Sequence, residues 1–263
     1  MTPQPSLRVT VLGSGTSLGV PAIGCDCAVC HSSDPRDRRT RPSILIEVNG
    51  TSILVDTSTD LRMQALANDV RRVDAILFTH SHADHVFGLD DVRRYNHMQR
   101  SPIGCYADAA TVASLRRVFS YAFDPTVQKG GGLPQLTLFS IAGPFCLGGV
   151  DIVPVPVMHG RLPILGFRIG SFAYLTDCNH IPDASWPLLT EDGGVRTVII
   201  DALRHRSHPT HFSVSEAVDA IARLGAGRAY LTHICHDLPH AETCAQLPRG
   251  VELAYDGLVL EID

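Results

Sequence analysis

Short apolar, β-branched runs recur along the chain, each closed by a polar or glycine-bearing stretch. In the first half, Leu7–Leu12, Ser43–Val48, Thr51–Asp56, Val73–Phe78 and Ile103–Tyr106 read as strands. In the second half the same pattern marks Leu136–Phe139, Phe145–Leu147, Val150–Val157, Phe167–Ile169, Phe172–Thr176, Thr197–Ile200, Arg228–Thr232, 251–254 and 258–262. Asn49-Gly50 and Gly170-Ser171 each separate two such runs and predict hairpins. Helical spacing appears over Asp60–Asn68, in a turn leading to a helix over Gly88–Asn96, over Asp108–Phe119 with Asp108 as N-cap, and over Ser213–Leu224. Ser213 and Glu216 stand at capping-box spacing. Residues 121–135, with Gly130 to Gly132, read as a loop bordering a site.

The order is strands, helices, strands, helices, with no repeat of solenoid length. It predicts an α/β chain of one domain, 1–263, whose two β-α halves pack as a helix–sheet–sheet–helix sandwich. With 44% hydrophobic and 19% charged residues among 263, there is enough apolar material for a sizeable core. A net charge of -5 with a pI near 6.2 gives no general pull toward nucleic acid or an anionic membrane. The polar start Met1–Ser6 passes directly into a strand, and no apolar run approaches spanning length, so the expectation is a cytoplasmic protein without a membrane partner. In that compartment eight cysteines need an explanation other than secreted disulfides.

Candidate chemistry sits where strands end. Thr79-His80-Ser81-His82-Ala83-Asp84-His85 follows the buried run Val73–Phe78 directly. Side chains two apart on extended backbone share a side, so His80 and His82 aim at one point, and a turn at Ala83 swings Asp84 and His85 toward a neighbouring one. Imidazole and carboxylate are ligands that borderline divalent metals accept. His159, Asp177 and His233 also stand at or just past strand ends. Seven nitrogen or oxygen donors exceed the need of one zinc and suit two metals.

A second cluster, Cys25-Asp-Cys27-Ala-Val-Cys30, places three thiols too close for easy disulfides and well placed for one tetrahedral zinc. Its fourth ligand is either the adjacent His31 or a remote His or Cys. Leu12–Gly19 carries three glycines but lacks dinucleotide spacing, and reads as a tight loop presenting N–H groups near the site. Arg161, Arg204 and Arg206 lie near the strand-end residues as phosphate contacts or as solvated charge. Cys105, Cys146, Cys178, Cys235 and Cys244 read as ordinary thiols.

The H-x-H-x-D-H run resembles the metal motif of the metallo-β-lactamase superfamily. Gly13-x-Gly-Thr-Ser-x-Gly-Val-Pro21 followed by Cys-x-Cys-x-x-Cys is similar, more narrowly, to the phosphoribosyl 1,2-cyclic phosphate phosphodiesterase of the carbon–phosphorus lyase pathway. The likeness spans essentially the whole chain. It implies a metallo-β-lactamase-like αββα four-layer sandwich with a structural zinc knot near the N-terminus. It further implies that His80, His82 and His159 hold one metal, that Asp84, His85 and His233 hold the other, and that Asp177 bridges both. Asp56 would support the metal loop by hydrogen bonding, and His236 would complete the knot with Cys25, Cys27 and Cys30. His211 would protonate the leaving group, and Asp84 also belongs to the catalytic set. The implied activity is hydrolysis of a small cyclic phosphodiester by metal-activated hydroxide, with two divalent metals in the cleft and one structural zinc. Zinc, manganese, iron and nickel all suit the cleft's donors. A tRNA 3′-end endonuclease and a non-catalytic cofactor-pathway protein of the same fold are the rivals. A thioester or lactam hydrolase is disfavoured by His211 together with Asp177, and a homodimer is left open.

Overall fold

The computed structural model describes residues 6–126, 128 and 132–262. The first half contributes β1 (Leu7–Gly13), β2 (Ser43–Val48), β3 (Thr51–Val55), α1 (Leu61–Ala67), β4 (Ala75–Leu77), α2 (Ala83–Val86), α3 (Arg93–Gln99), β5 (Ile103–Ala107), α4 (Ala109–Val118), α5 (Ser120–Phe123) and β6 (Leu136–Ser140). The second contributes β7 (Phe145–Leu147), β8 (Val150–His159), β9 (Leu162–Ile169), β10 (Phe172–Leu175), α6 (Trp186–Thr190), β11 (Thr197–Asp201), α7 (Val214–Leu224), β12 (Arg228–Thr232), α8 (His240–Gln246), β13 (Val251–Leu253) and β14 (Val259–Ile262).

The strands form two seven-stranded sheets, ordered β14-β1-β2-β3-β4-β5-β6 and β13-β12-β11-β10-β9-β8-β7. Each sheet has an antiparallel section, β14 to β3 and β7 to β10, that passes into a parallel one, β3 to β6 and β10 to β13. The two expected β-α halves are therefore present, and only β14 returns from the end of the chain to the first sheet.

Side-chain alternation explains the four layers. Ile53 and Val55 of β3 point into a core shared with Phe172, Tyr174 and Ile199 of the other sheet, while Leu54 faces Leu61, Val92 and Leu115 of the helical layer. On the second sheet Ala173, Leu175, Val198 and Ile200 face Ala217, Ile221 and Leu224 of α7. The Ser213–Glu216 capping box opens α7 and Gly225 closes it in the left-handed region. This is the α/β sandwich expected from the sequence.

Strand β9 begins five residues earlier than its apolar run suggested, and the added part contains Pro163 and Gly166, residue types that usually interrupt a strand. The structure accommodates them: β10 pairs only with Phe167–Ile169 and β7 only with Val150–Ile152, so the rest of the β8–β9 hairpin has no second strand beside it, only isolated bonds from Met158 to Asn179 and His180 and from Leu165 to Thr79. Prolines are tolerated on such free edges, which also explains Pro154 and Pro156 in β8. The arm leaves the sheet with His159 near its tip.

The short helices α5, α6 and α8 carried no sequence signal of their own. Of the loop read over 121–135, residues 121–123 belong to α5, and Gly130 and Gly131 lie outside the described residues. Among the described residues no helix is long and apolar enough to cross a membrane.

Candidate metal centre

The carboxyl ends of β3, β4, β10, β11 and β12 open onto one edge of the sandwich, where open α/β sheets place ligands. Three residues at this edge, Asp56, Asp177 and His233, are non-glycine residues with φ of 61°, 56° and 60°. Such strain costs energy and concentrates where side-chain aim matters.

Asp56 is completely buried just after β3 and accepts from the Thr79 N–H (2.9 Å), the Thr79 hydroxyl (2.8 Å) and His85 Nδ1 (2.7 Å). Thr79 Oγ1 in turn lies 2.9 Å from His80 Nδ1. Both imidazoles are thus tied at Nδ1, which leaves Nε2 for other work. Asp56 acts by hydrogen bonding, as the sequence suggested.

The remaining atoms converge. Asp177 Oδ1 is 3.2 Å from His85 Nε2, and its Oδ2 is 3.2 Å from His233 Nε2 and 3.9 Å from His80 Nε2. Asp84 Oδ2 lies 3.4 Å from His85 Nε2 and 3.7 Å from His233 Nε2. One ligand atom from each of Asp84, His85, Asp177 and His233 falls within 4.8 Å of the others, and so does one from each of His159, Asp177 and His211. His80 and His82 have ring centroids 4.5 Å apart, and 5.7 and 5.2 Å from that of His159. The His80–His82–His159 set is therefore adjacent but looser than the other, and it borders Asp177 through His80.

The donor set fits divalent cations on two counts. Buried Nε2 atoms of His80, His85 and His233 have no partner in hydrogen-bond geometry, although carboxylate oxygens are close. Atoms aimed past one another at common points is the pattern ligands adopt around an ion. Charge agrees: burial works against a charged His233, yet Asp177 and Asp84 outweigh it and lift its pKa to about 10. Burial likewise opposes charge on His85, and Asp177 and Asp56 hold its pKa well above the ordinary value. The pocket demands positive charge. Burial and the neighbouring His85 keep His80 well below its ordinary pKa, and burial lowers His159, so these two are neutral imidazoles ready to ligate.

Asp201, which the sequence reading passed over, stands at the end of β11. It is fully buried, and burial raises its pKa. Its Oδ1 is 3.0 Å from His211 Nδ1 and accepts the Asp177 N–H at 3.1 Å, while Oδ2 accepts the Phe212 N–H at 2.9 Å. His211 stacks on His233 at 4.5 Å and meets His159 at 4.7 Å. The missed signal was positional: Asp201 closes an apolar strand just as Asp56 does.

At the second cluster, Cys25, Cys27 and Cys30 place Sγ 3.2, 3.7 and 3.4 Å from His236 Nδ1, and the four ligand atoms lie within 4.8 Å of one another. The open choice of fourth partner falls to His236; His31 is exposed and its ring lies 3.3 Å from the Cys27 carbonyl. Three sulfurs and one imidazole are the donors of a closed zinc site. The Cys30 N–H leads the contacts that hold the Cys27 thiol below its ordinary pKa, whereas burial pushes Cys30 up to about 11.

The glycine-rich loop differs from expectation. The N–H groups of Ser14, Gly15 and Thr16 donate to Asp256 Oδ1, the Thr40 carbonyl and the Ile234 carbonyl, so they are spent inside the fold. A Cβ on Gly13 would lie 2.0 Å from the Arg41 carbonyl, so glycine serves close packing there and not ligand approach. Arg204 folds back onto the carbonyls of Arg206 and Ser207, Arg206 reaches Asp237 at 3.3 Å, and Arg161 is exposed beside the β8–β9 turn.

Residues 51–234 match a family model described as a beta-lactamase superfamily domain. The chain belongs to that superfamily. It carries the metal-dependent hydrolase fold of the group, the metallo-β-lactamase fold. A solved structure described as a new diphosphatase from the PhnP family superposes with a TM-score of 0.90 at 46% identity, covering 98% of this chain and 97% of that one. A Porphyromonas gingivalis protein named octanoyltransferase is 40% identical over 260 residues, 98% of this chain but 52% of the relative, so the chain spans about half of that protein's length. A ribonuclease Z from a Mycobacterium species is 24% identical over 284 residues, covering 95% of this chain and 94% of that one.

Proposed function

We propose that the chain is a dinuclear-metal phosphodiesterase acting on a small cyclic phosphodiester, of phosphoribosyl 1,2-cyclic phosphate or 2′,3′-cyclic nucleotide type. One observation carries the reading: Asp177 reaches histidines on both sides of the cleft, beside the His211–Asp201 pair. In this reading His80, His82 and His159 would hold one cation and Asp84, His85 and His233 the other, with Asp177 available to both. Bound there, a pair of divalent cations such as zinc or manganese supplies Lewis acidity toward a phosphoryl oxygen and acidifies water.

The chain's own residues do the rest. His233 and His85 hold the Asp84 carboxylate below its ordinary range despite burial, keeping it anionic in the cleft. Asp201 ties His211 at Nδ1, which leaves Nε2 to deliver a proton to the departing sugar oxygen. The Asp177 N–H donates to Asp201 Oδ1, so the shared carboxylate and the proton donor have one buried anchor.

The 46% identical relative, by its printed description a diphosphatase, favours a second reading in which a phosphoanhydride is cleaved. A phosphate leaves readily without a proton, whereas a sugar alkoxide does not, so His211 separates the two. The test is turnover of ribose 1,2-cyclic phosphate, 2′,3′-cyclic nucleotides, bis-p-nitrophenyl phosphate and a dinucleoside diphosphate by wild type and His211→Ala, beside a precursor-tRNA lane. The diesterase reading expects turnover of the cyclic diesters and, in the variant, a loss of about a hundredfold on them with much less on the p-nitrophenyl ester. Turnover of the diphosphate alone, indifferent to His211, moves the chain to the second reading. Cleavage of tRNA alone makes it an endonuclease, and inactivity with metals bound sinks the hydrolase assignment.

A further inference from the structure

We infer that Asn179 is a positioning residue that sets the spacing between the ligand-bearing hairpin and the loop that carries His211. The inference rests on the roles proposed for His159 and His211. Asn179 lies two residues past Asp177, half-buried, beside the arm formed by β8 and β9. Its backbone N–H donates to the Met158 carbonyl at 2.9 Å, and the Met158 N–H donates to the His180 carbonyl at 2.9 Å. This double link sets the Asn179 side chain against the turn that follows His159.

From there one planar amide spans two segments. Oδ1 accepts the Gly160 N–H at 2.8 Å, and Nδ2 donates to the Pro209 carbonyl at 3.1 Å. A backbone donor on one side and a backbone acceptor on the other fix which end of the amide is which. The neighbours continue the seam: His159 Nδ1 lies 3.0 Å from the Thr210 carbonyl, and the Phe212 N–H donates to the Cys178 carbonyl at 2.8 Å. Gly160 has φ of 63°, and a Cβ there would meet Thr210 Cγ2 at 2.9 Å, so the two segments abut with no slack. Asparagine alone among side chains of this length offers an acceptor and two donors on one rigid group. Aspartate keeps the acceptor for Gly160 and places a second oxygen against the Pro209 carbonyl.

The two ends of the amide therefore act on different functions, and two variants separate them. Asn179→Ala removes both ties; Asn179→Asp preserves the one toward His159 and breaks the one toward His211. Affinity of the cleft for zinc or manganese is read by chelator competition, and aim of the acid by the ratio of turnover on an alkyl diester to that on bis-p-nitrophenyl phosphate. For Asn179→Ala the expected result is metal affinity lowered about tenfold or more, as for other groups that orient metal-binding histidines, together with a ratio about tenfold lower. For Asn179→Asp the ratio falls similarly while metal affinity stays within about threefold of wild type, since the contact that orients the His159 turn survives. Both variants keeping wild-type metal affinity and ratio, with only the melting temperature shifted, would make Asn179 a structural tie and overturn the inference. Should neither variant nor wild type turn over any phosphoester, the proposed function fails, and metal affinity alone still decides: equal values for Ala and Asp contradict a role for the Gly160 contact. If Asn179→Ala does not fold, a wild-type ratio in Asn179→Asp contradicts the role toward His211.

Discussion

Two residues, Ile234 and Cys235, separate His233 in the cleft from His236 in the cysteine cluster, yet the two sites are built on opposite plans. The cysteine cluster draws three of its four donors from six consecutive residues on one loop and closes with a single remote histidine. Its donors are sulfur-rich and sufficient in number, so no position is left for a substrate. The cleft collects oxygen and nitrogen donors from both sheets, exposes His82, half-exposes His159, and keeps His211 with its buried aspartate beside the ligands. The first plan suits a closed structural site, the proposed role of the cluster; the second leaves donors to spare for chemistry. The shared 233–236 segment means that the first fixes the position of the second. Arg39, fully buried, reinforces the joint by donating to the Cys235 and Leu238 carbonyls and to Asp37.

The comparison is broken most sharply by Asp177→Asn. Losing an anionic donor shared by both sides removes several kcal/mol of charge complementarity, and turnover should fall on the order of a thousandfold or more. Elemental analysis should show the cleft metals lost while the cysteine-bound zinc persists. Loss of zinc from both sites would mean that they are not independent.

Cys27→Ser is the mirror experiment. A site that is structural stabilises the fold outright, and the melting temperature should drop by about 10 °C, with a smaller drop in activity per folded molecule. An unchanged melting temperature would show the cluster to be a reactive thiol group instead.

Asp201→Asn sharpens the cleft side. With His211 no longer held in one orientation, turnover of alkyl-leaving-group diesters should fall about a hundredfold and that of p-nitrophenyl esters by less than about tenfold. Equal losses would mark Asp201 as a support for Asp177 alone, through its 3.1 Å bond to that backbone.

The smallest effect concerns His240, whose backbone N–H binds Asp37 beside the buried Arg39. Burial, then the charges of Arg36 and Arg39, lower its pKa from 6.5 to about 4. The unfolded chain therefore binds a proton more readily than the folded one between these values. Stability from this group is complete above pH 6.5 and is lost as pH falls toward 4. His240→Gln should flatten that part of the melting-temperature profile relative to wild type; a parallel profile would remove His240 as the cause.

Much of this was legible in the sequence because each cleft residue follows or ends an apolar run. His80, His159, Asp177 and His233 stand out as polar residues at the ends of buried strands. Asp201 follows the same rule but was hidden beside the histidines and arginines of 204–211, which drew the chemical reading away from it. The Leu162–Gly166 part of β9 was illegible because Pro163 and Gly166 signal a break, and the lack of a second strand beside that part of the arm removes the conflict. The glycine loop misled for a related reason. Three glycines say that something comes close, and here it is the backbone of 39–41 rather than a ligand. Asn179 carries no sequence signal at all, since its partners are backbone groups 19 and 30 residues away.

The division of labour between the two sites is tested most directly by chelator titration of the purified protein, with metal content and diester turnover followed together. The expected result is about three metals per chain, of which two leave first, with activity falling in step and the fold intact until the third, cysteine-bound zinc is withdrawn. Activity that survives loss of the labile metals, or a single class of metal whose removal unfolds the chain, would contradict the account.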